Sequence, residues 1–352
     1  MPARKRKAVS PPPASPSRRQ SGRAKRVQVV YAESDAESAA SSDDFADADG
    51  AEGEGRASEA EVEEDEEEDE EGQAAMKPAR GWRKVTLPNG NTQMEIDLPT
   101  AKPAGETPYE EGRIHRNTLD FLRELRRNNR REWLKFHDAV FRQAEKDFTS
   151  FIASLSSLLT TYDPTIPDLP PKDIIHRIHR DMRFTPDPTP YKHYFSASWS
   201  RAGRKGPYAH YYLHIQPGGE SFVGGGYFGC DNETLACLRE DVDTQPHQLK
   251  SILMKEKLRG VFFPKAEGEG EVVKAFCEMS KQNALKKKPK GFDADHKDIE
   301  IMKLRNYILT KKLSDGEVVQ KNALQLICSI MEATEPFVSY DQTSGTVSGR
   351  WY

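Results

Sequence analysis

His210-Tyr211-Tyr212-Leu213-His214-Ile215-Gln216-Pro217-Gly218-Gly219-Glu220-Ser221-Phe222-Val223-Gly224-Gly225-Gly226-Tyr227-Phe228 is the stretch that decides the fold. Aromatic and apolar residues fill its two halves, and the central Pro217-Gly218-Gly219-Glu220 is a turn signal. We therefore predict two antiparallel strands, His210–Ile215 and Phe222–Phe228, joined as a hairpin. Upstream, residues 174–180 alternate and residues 194–199 are rich in aromatic residues, so both are predicted strands.

Helical periodicity surrounds these strands in the sequence. Asn117 is a predicted helix cap with Asp120 in a capping box, and Asn128-Asn129 ends that helix. A long helix is predicted over residues 133–159, ending at Tyr162-Asp163-Pro164. Later helices are predicted after Asp231, after Pro246 and over residues 272–279, 298–312 and 317–331. Strands in the middle with helices on both sides predict an α+β fold with a central antiparallel sheet flanked by helices.

The densest cluster of charge lies just upstream of the hairpin, in residues 176–192. Arginines at this density bind phosphate or carboxylate groups through paired hydrogen bonds, or form a buried ion network. Three prolines stiffen the return of the chain, as a preorganised anion site requires. The predicted ligand-binding residues are Arg177, Arg180, Arg183, Tyr191 and Lys192, together with Tyr212 from the neighbouring hairpin, and Asp181 and Asp187 are predicted to orient the arginines. The alternative is a structural Arg–Asp network that fastens the loop to the sheet.

Four ordered motifs carry a resemblance to a known family. They are residues 177–184 with Asp187 and Pro190-Tyr191-Lys192, then residues 128–133, residues 212–218 and residues 221–226. Together they resemble an uncharacterised family of bacteria and fungi, domain of unknown function 2461, over residues 115–338. In one departure from its pattern, Pro188 stands where a lysine is expected. The resemblance implies a shared fold and names no activity.

Histidines form a second group of candidates, because five of the nine fall between residues 176 and 214. They lack the fixed spacing of a metal-binding motif, so no metal or other cofactor is predicted. His214 beside Tyr212 is a candidate for proton transfer, because histidine titrates near neutral pH. Gly224-Gly225-Gly226 has no helix directly after it, so the glycines are expected to permit close approach of another backbone rather than to cradle phosphate.

The net charge of −4 conceals three blocks of different charge. Residues 1–30 carry +9 and residues 31–72 carry −19, which leaves +6 for residues 73–352. Like-charged blocks without large apolar residues are typical of disorder. We predict a disordered tail over residues 1–108, with a short hairpin at residues 82–98, a single α+β domain over residues 109–338 and a C-terminal tail over residues 339–352.

The basic block has the form of a bipartite nuclear import signal, made by Lys5, Arg6, Lys7, Arg18 and Arg19. The expected location is therefore the nucleus, or otherwise the cytoplasm, and an import receptor is an expected partner. The four cysteines form no paired motif, and no apolar run predicts a membrane span or membrane partner. The acidic run at residues 61–71 could contact histones or act as a solvated spacer.

Three functional hypotheses follow. The first is a nuclear binding protein whose arginine cluster holds a phosphorylated ligand or a nucleic-acid backbone. The second is an enzyme acting on a phosphate- or carboxylate-bearing substrate, with Asp181, Asp187 or His214 as acid–base residues. The third is a scaffold or chromatin-associated protein without catalysis. The direction in which the arginines face distinguishes the first two.

Overall fold

A computed structural model describes residues 82–86, 92–96, 98–181, 183 and 187–344 of the chain. Within these ranges, side chains are described for residues 98–340. The predicted basic and acidic blocks, the import signal and residues 345–352 lie outside these ranges. Strands β1 (Trp82–Thr86) and β2 (Thr92–Ile96) pair antiparallel, as predicted for the short hairpin.

The main sheet has five antiparallel strands in sequence order. They are β3 (Ile175–His176), β4 (Phe195–Trp199), β5 (His210–Ile215), β6 (Ser221–Tyr227) and β7 (Tyr307–Leu313). The decisive hairpin is β5–β6, with Leu213 opposite Val223 and His214 opposite Phe222. The predicted antiparallel sheet is confirmed.

Ten helices are described in this part of the chain. They are α1 (Arg116–Arg127), α2 (Arg131–Phe136), α3 (Asp138–Tyr162), α4 (Asn232–Thr244), α5 (Pro246–Leu253), α6 (Glu256–Phe262), α7 (Glu269–Met279), α8 (Ile299–Met302), α9 (Asp315–Val319) and α10 (Ala323–Ser344). The predicted α+β class is therefore confirmed. The last helix continues beyond residue 338, where the domain was predicted to end.

One face of the sheet, the inner face, packs against helices that precede and follow it in the sequence. Phe195 stacks on Phe148 of α3 at 5.1 Å between ring centroids, and the Trp199 indole N–H donates to Ser156 Oγ at 2.8 Å. Tyr211, fully buried, donates its hydroxyl hydrogen to Asp163 Oδ2 at 2.9 Å. Burial of these large apolar groups is the main stabilisation of the fold.

We call the opposite side of the sheet the outer face, and strand alternation determines which residues it carries. Residues at every second position share a face, so Ser196, His214 and Phe222 lie side by side across β4, β5 and β6. Lys312 continues this row on β7. His210, Tyr212 and His214 alternate along β5 and therefore share this face.

Close backbone approach explains the glycines of β6. A Cβ atom on Gly224 would lie 1.8 Å from the Leu309 carbonyl oxygen, and one on Gly226 would lie 2.1 Å from that of Tyr307. Gly226 also has a φ of +124°, which favours glycine. The predicted role in backbone approach is confirmed, and β6 and β7 could not pair in this way with side chains at those positions.

Several predicted helix boundaries were wrong. Residues 298–312 do not form one helix, because α8 ends at Met302 and the buried Tyr307 and Leu309 alternate along β7. The predicted helix at residues 133–159 is two helices that meet at His137, and the one at residues 317–331 is divided between α9 and α10. The cap of α1 is His115, whose Nδ1 accepts from the Asn117 N–H at 3.0 Å.

None of the helices in the described part of the chain combines the length and apolar character needed to cross a membrane.

Candidate functional site

The arginine-rich segment leaves the edge of the sheet and returns to it. Regular pairing is limited to Ile175–His176, so the predicted strand over residues 174–180 is shorter than expected. Beyond it, the Arg180 N–H donates to the Pro190 carbonyl at 3.0 Å, and the Lys192 N–H donates to that of Ile178 at 2.7 Å. These bonds fix both ends of the loop from Asp181 to Thr189, which we call the arginine loop.

The turn between α1 and α2 anchors this loop. The Asn129 side-chain amide donates to the Tyr191 carbonyl at 2.7 Å, and its oxygen accepts from the Tyr191 N–H at 3.0 Å. The Asn129 side chain thus makes the two hydrogen bonds to the backbone of Tyr191 that a neighbouring strand would otherwise make. This double contact gives a physical reason for the asparagine in the motif at residues 128–133.

Arg180 and Asp187 form an ion pair across the base of the arginine loop. The Asp187 Oδ1 also accepts from the Thr189 N–H at 2.9 Å and from its hydroxyl at 2.7 Å. The Thr189 N–H bond, aided by Arg180, holds the pKa of Asp187 below its ordinary value. Arg180 is only 11% exposed, and its Nε makes no hydrogen bond within the described residues.

Arg183 and Asp181 form a second, more exposed pair. The Arg183 Nε donates to Asp181 Oδ1 at 3.0 Å, and Nη2 donates to Oδ2 at 2.8 Å. These side-chain hydrogen bonds lower the pKa of Asp181 to about 2. Both predicted aspartates therefore contact arginines, as the orienting role and the structural network alike require. A carboxylate with so low a pKa is a weak general base at neutral pH.

Arg177 has a different environment. It is exposed, as are Arg131 at the start of α2 and His179. The pKa of His179 is lowered by burial first and then by the positive charges of Arg177 and Arg131, and it is raised by the Glu145 carboxylate of α3. His179 also pairs with Tyr191, which the turn before α2 contacts, so the three residues belong to one region of the sheet edge. Neither arginine forms an ion pair with a carboxylate in the described part of the chain. We call Arg131, Arg177 and His179 the cationic patch.

Two of the predicted ligand-binding residues are buried. Tyr191 is 7% exposed, with the His179 ring edge-on at 5.1 Å, and Lys192 is 6% exposed. Their burial favours a supporting role beneath the arginine loop. A second basic segment, residues 201–205, also makes structural contacts: Arg204 donates to the Ile175 carbonyl at 2.5 Å and to that of Lys172 at 3.1 Å.

A row of rings stands on the outer face beside the arginine loop. Tyr194 and His214 have centroids 4.0 Å apart, and His214 stacks on Phe222 at 4.7 Å with an interplanar angle of 14°. Tyr212 is tilted towards Phe222 at 5.6 Å. The two candidates His214 and Tyr212 are therefore neighbours, with centroids 6.2 Å apart.

Polar contacts connect this row to α1. His214 Nε2 lies 2.9 Å from Gln216 Oε1, the Gln216 amide donates to Glu220, and Arg126 Nη1 donates to Glu220 Oε2 at 3.2 Å. The pKa of His193 is lowered by burial and then by Arg126 and Arg180. The His193 ring lies edge-on to Tyr194, with ring centroids 6.0 Å apart.

Sequence reasoning assigned no ligand-binding or catalytic role to four residues of this region, Arg126, Asn129, Arg131 and Gln216. The motif at residues 128–133 was the only signal for two of them. No group of three or more histidine, cysteine or carboxylate side chains suited to a metal ion is formed by the residues that the structure describes. His176 instead lies with its Nε2 2.9 Å from Ser198 Oγ, and burial lowers the pKa of His210.

Comparison with known families gives one match. The model of a family described as a conserved hypothetical protein (DUF2461) matches residues 117–340, which include β3–β7, the arginine loop and the cationic patch. Searches of curated proteins and of solved structures each found no match. Because the matched region is more than half of the chain, the protein belongs to the DUF2461 family.

Proposed function

We propose that the folded domain binds a phosphate-bearing ligand at the cationic patch. The observation that carries this proposal is the exposure of Arg131 and Arg177 beside His179, with neither arginine in an ion pair within the described residues. Arg180, Arg183 and Arg126 differ in this respect, because each contacts a carboxylate. The positive charge available to a ligand is thus concentrated on Arg177 and Arg131.

The surroundings of the patch favour a preorganised site. Arg177 lies directly before Ile178, whose carbonyl accepts from Lys192, and Arg131 directly follows the turn that Asn129 holds against Tyr191. Two planar guanidinium groups on fixed backbone bind an anion with little loss of conformational entropy. Charge-assisted hydrogen bonds from arginine suit the geometry of phosphate oxygens.

We further propose that the chain acts in the nucleus and enters it through an import receptor that binds the basic N-terminal block. Phosphorylated proteins and nucleic acids are both abundant anionic ligands in that compartment. The acidic run could contact histones, and it could also compete for the cationic patch. The alternative of general-base catalysis by Asp181 or Asp187 is less favoured, because the pKa values of both carboxyl groups are lowered.

Thermal unfolding of the full chain in sulfate, in chloride and in a non-binding kosmotrope tests the anion site. Sulfate should raise the melting temperature beyond the effect of the kosmotrope, because site binding adds stabilisation by mass action. Arg177→Ala should remove this increment. Arg116→Ala is the matched control, because Arg116 is exposed at the other end of α1 and is not part of the patch.

The result that contradicts the proposal is an increment of equal size in Arg177→Ala and in the parent chain. Absence of any sulfate-specific increment in the parent has the same consequence. Loss of the increment in Arg180→Ala alone would assign anion binding to the base of the arginine loop instead.

A further inference from the structure

We infer that the outer face of the sheet stacks the bases of a single-stranded nucleic acid. The inference rests on the proposed function, because it identifies the phosphate-bearing ligand of the cationic patch. The structural basis is Phe222 on β6, whose strand partners are His214 on β5 and Lys312 on β7.

Phe222 is placed as the end of the row of rings. One side of it faces His214, with a 4.7 Å centroid distance and nearly parallel planes. Lys312 lies opposite Phe222 in the β6–β7 register, on the side away from β5. Phe222 is half-buried and Lys312 is exposed, so the end of the row is accessible to solvent.

Stacking on an aromatic ring combined with a nearby positive charge is the pattern that recognises a nucleotide. Bases stack on aromatic side chains of antiparallel sheets, and basic residues beside them hold the backbone phosphates. Gly224, the neighbour of Tyr212 on β6, adds no side chain next to that ring. A flat ligand stacked on Phe222 therefore meets no side chain from this position.

The position of the cationic patch favours a strand over a free nucleotide. His176 of β3 lies on the outer face opposite Ser196, and strand alternation directs Arg177, the next residue, to the other side of this sheet edge. From β6 to β3 there are three interstrand spacings, about 15 Å in total. A ligand stacked on Phe222 must cross this distance and pass round the β3 edge to reach Arg177, which needs several linked nucleotides.

Charge and base accessibility favour single strands over a duplex. Bases in a duplex are stacked on one another and do not present their faces to a protein. The net charge of +6 for residues 73–352 is modest for a protein that binds duplex DNA by its backbone. Stacking adds affinity that does not depend on charge, which suits this surface.

Fluorescence anisotropy of the full chain with a labelled short oligothymidylate tests the inference. Phe222→Ala should weaken binding by roughly 5- to 150-fold, the factor expected for loss of one stacked base. Phe222→Tyr should retain parental affinity because its ring can still stack. Phe228→Ala is the matched control, because Phe228 lies just after the same strand and is 64% exposed.

An abasic oligonucleotide of equal length separates stacking from phosphate binding. It should bind the parent more weakly than oligothymidylate, and Phe222→Ala should not weaken its binding further. Equal affinity of the parent for the abasic and normal strands would overturn the inference, as would tighter binding of a duplex. If Phe222→Ala does not fold, Phe222→Leu supplies the comparison, since leucine retains apolar volume without a ring.

The sulfate experiment distinguishes a failure of the proposed cationic patch from a failure of the proposed stacking surface. If sulfate stabilises the parent and not Arg177→Ala, while Phe222 variants bind oligothymidylate like the parent, the cationic patch stands and the stacking surface is wrong. If sulfate has no specific effect and base-dependent binding is also absent, both are wrong. Thymidine monophosphate that competes as well as the oligonucleotide would overturn the requirement for a strand.

Discussion

Replacing Asn129 by alanine should release the arginine loop from the helical part of the domain. The side chain makes two hydrogen bonds to the peptide groups of Tyr191, at 2.7 and 3.0 Å. Alanine leaves one donor and one acceptor without their partner beside a residue that is 7% exposed. An unsatisfied buried polar group costs about 1–3 kcal/mol, so we expect a loss of about 2–4 kcal/mol in the free energy of unfolding, with water at the site lowering the cost.

Urea denaturation of the full chain followed by tryptophan fluorescence measures this loss. The midpoint should fall with an unchanged slope, because the surface exposed on unfolding stays the same. Asn128→Ala is the matched control. Its amide donates to the Glu124 carbonyl at 3.0 Å at the exposed end of α1, so its loss should cost less than about 1 kcal/mol.

Asn129→Asp gives an internal comparison. A carboxylate can still accept from the Tyr191 N–H, but it cannot donate to the Tyr191 carbonyl, so this variant should lose one bond and gain a repulsion. Amide exchange at Arg180 and Lys192 should quicken in Asn129→Ala, because both bond across the base of the loop. If Asn129→Ala and Asn128→Ala have equal unfolding free energies, the anchoring role of Asn129 is refuted.

Two further predictions follow. Burial and two arginines lower the pKa of His179, whereas a bound anion raises it; sulfate affinity should therefore be higher at low pH and decrease as pH rises through the pKa of His179. Isothermal titration of the parent and of His179→Gln at several pH values checks this, since the variant should show a flatter dependence, and an identical slope would exclude His179 from the site. Replacing Lys5-Arg6-Lys7 and Arg18-Arg19 by alanine should move a fluorescently tagged chain from nucleus to cytoplasm in live-cell imaging, and an unchanged nuclear signal would remove the import hypothesis.

A strand of the sheet was predictable from sequence where apolar and polar residues alternate along it or where turn residues bound it. The β5–β6 hairpin has both signals, and its glycines showed where two backbones approach closely. Strand β7 was missed because Lys311 and Lys312 interrupt its apolar alternation. Lys311 lies beside buried Val223 and donates to the Val261 carbonyl at 3.1 Å, a contact with α6 that local periodicity cannot indicate.

The candidate site was predictable only where its contacts are local. Asp181 and Arg183 are two residues apart, and Arg180 and Asp187 are seven apart, so composition alone suggested these pairs. Asn129 acts on Tyr191 across 62 residues, and Arg131 joins Arg177 through the same tertiary contact. Contacts between residues so far apart in the sequence form only because α1 and α2 pack against the sheet edge, and local sequence patterns do not indicate that packing.

The two-residue length of β3 has a consequence for self-association. A free sheet edge offers unpaired N–H and C=O groups that can recruit a strand from another molecule. Here that edge is very short and is followed by the exposed charge of Arg177. A second copy of the sheet thus finds little backbone to pair with at this edge, and like charges oppose its approach. The segment proposed to attract a ligand also disfavours edge-to-edge pairing at the β3 side of the sheet.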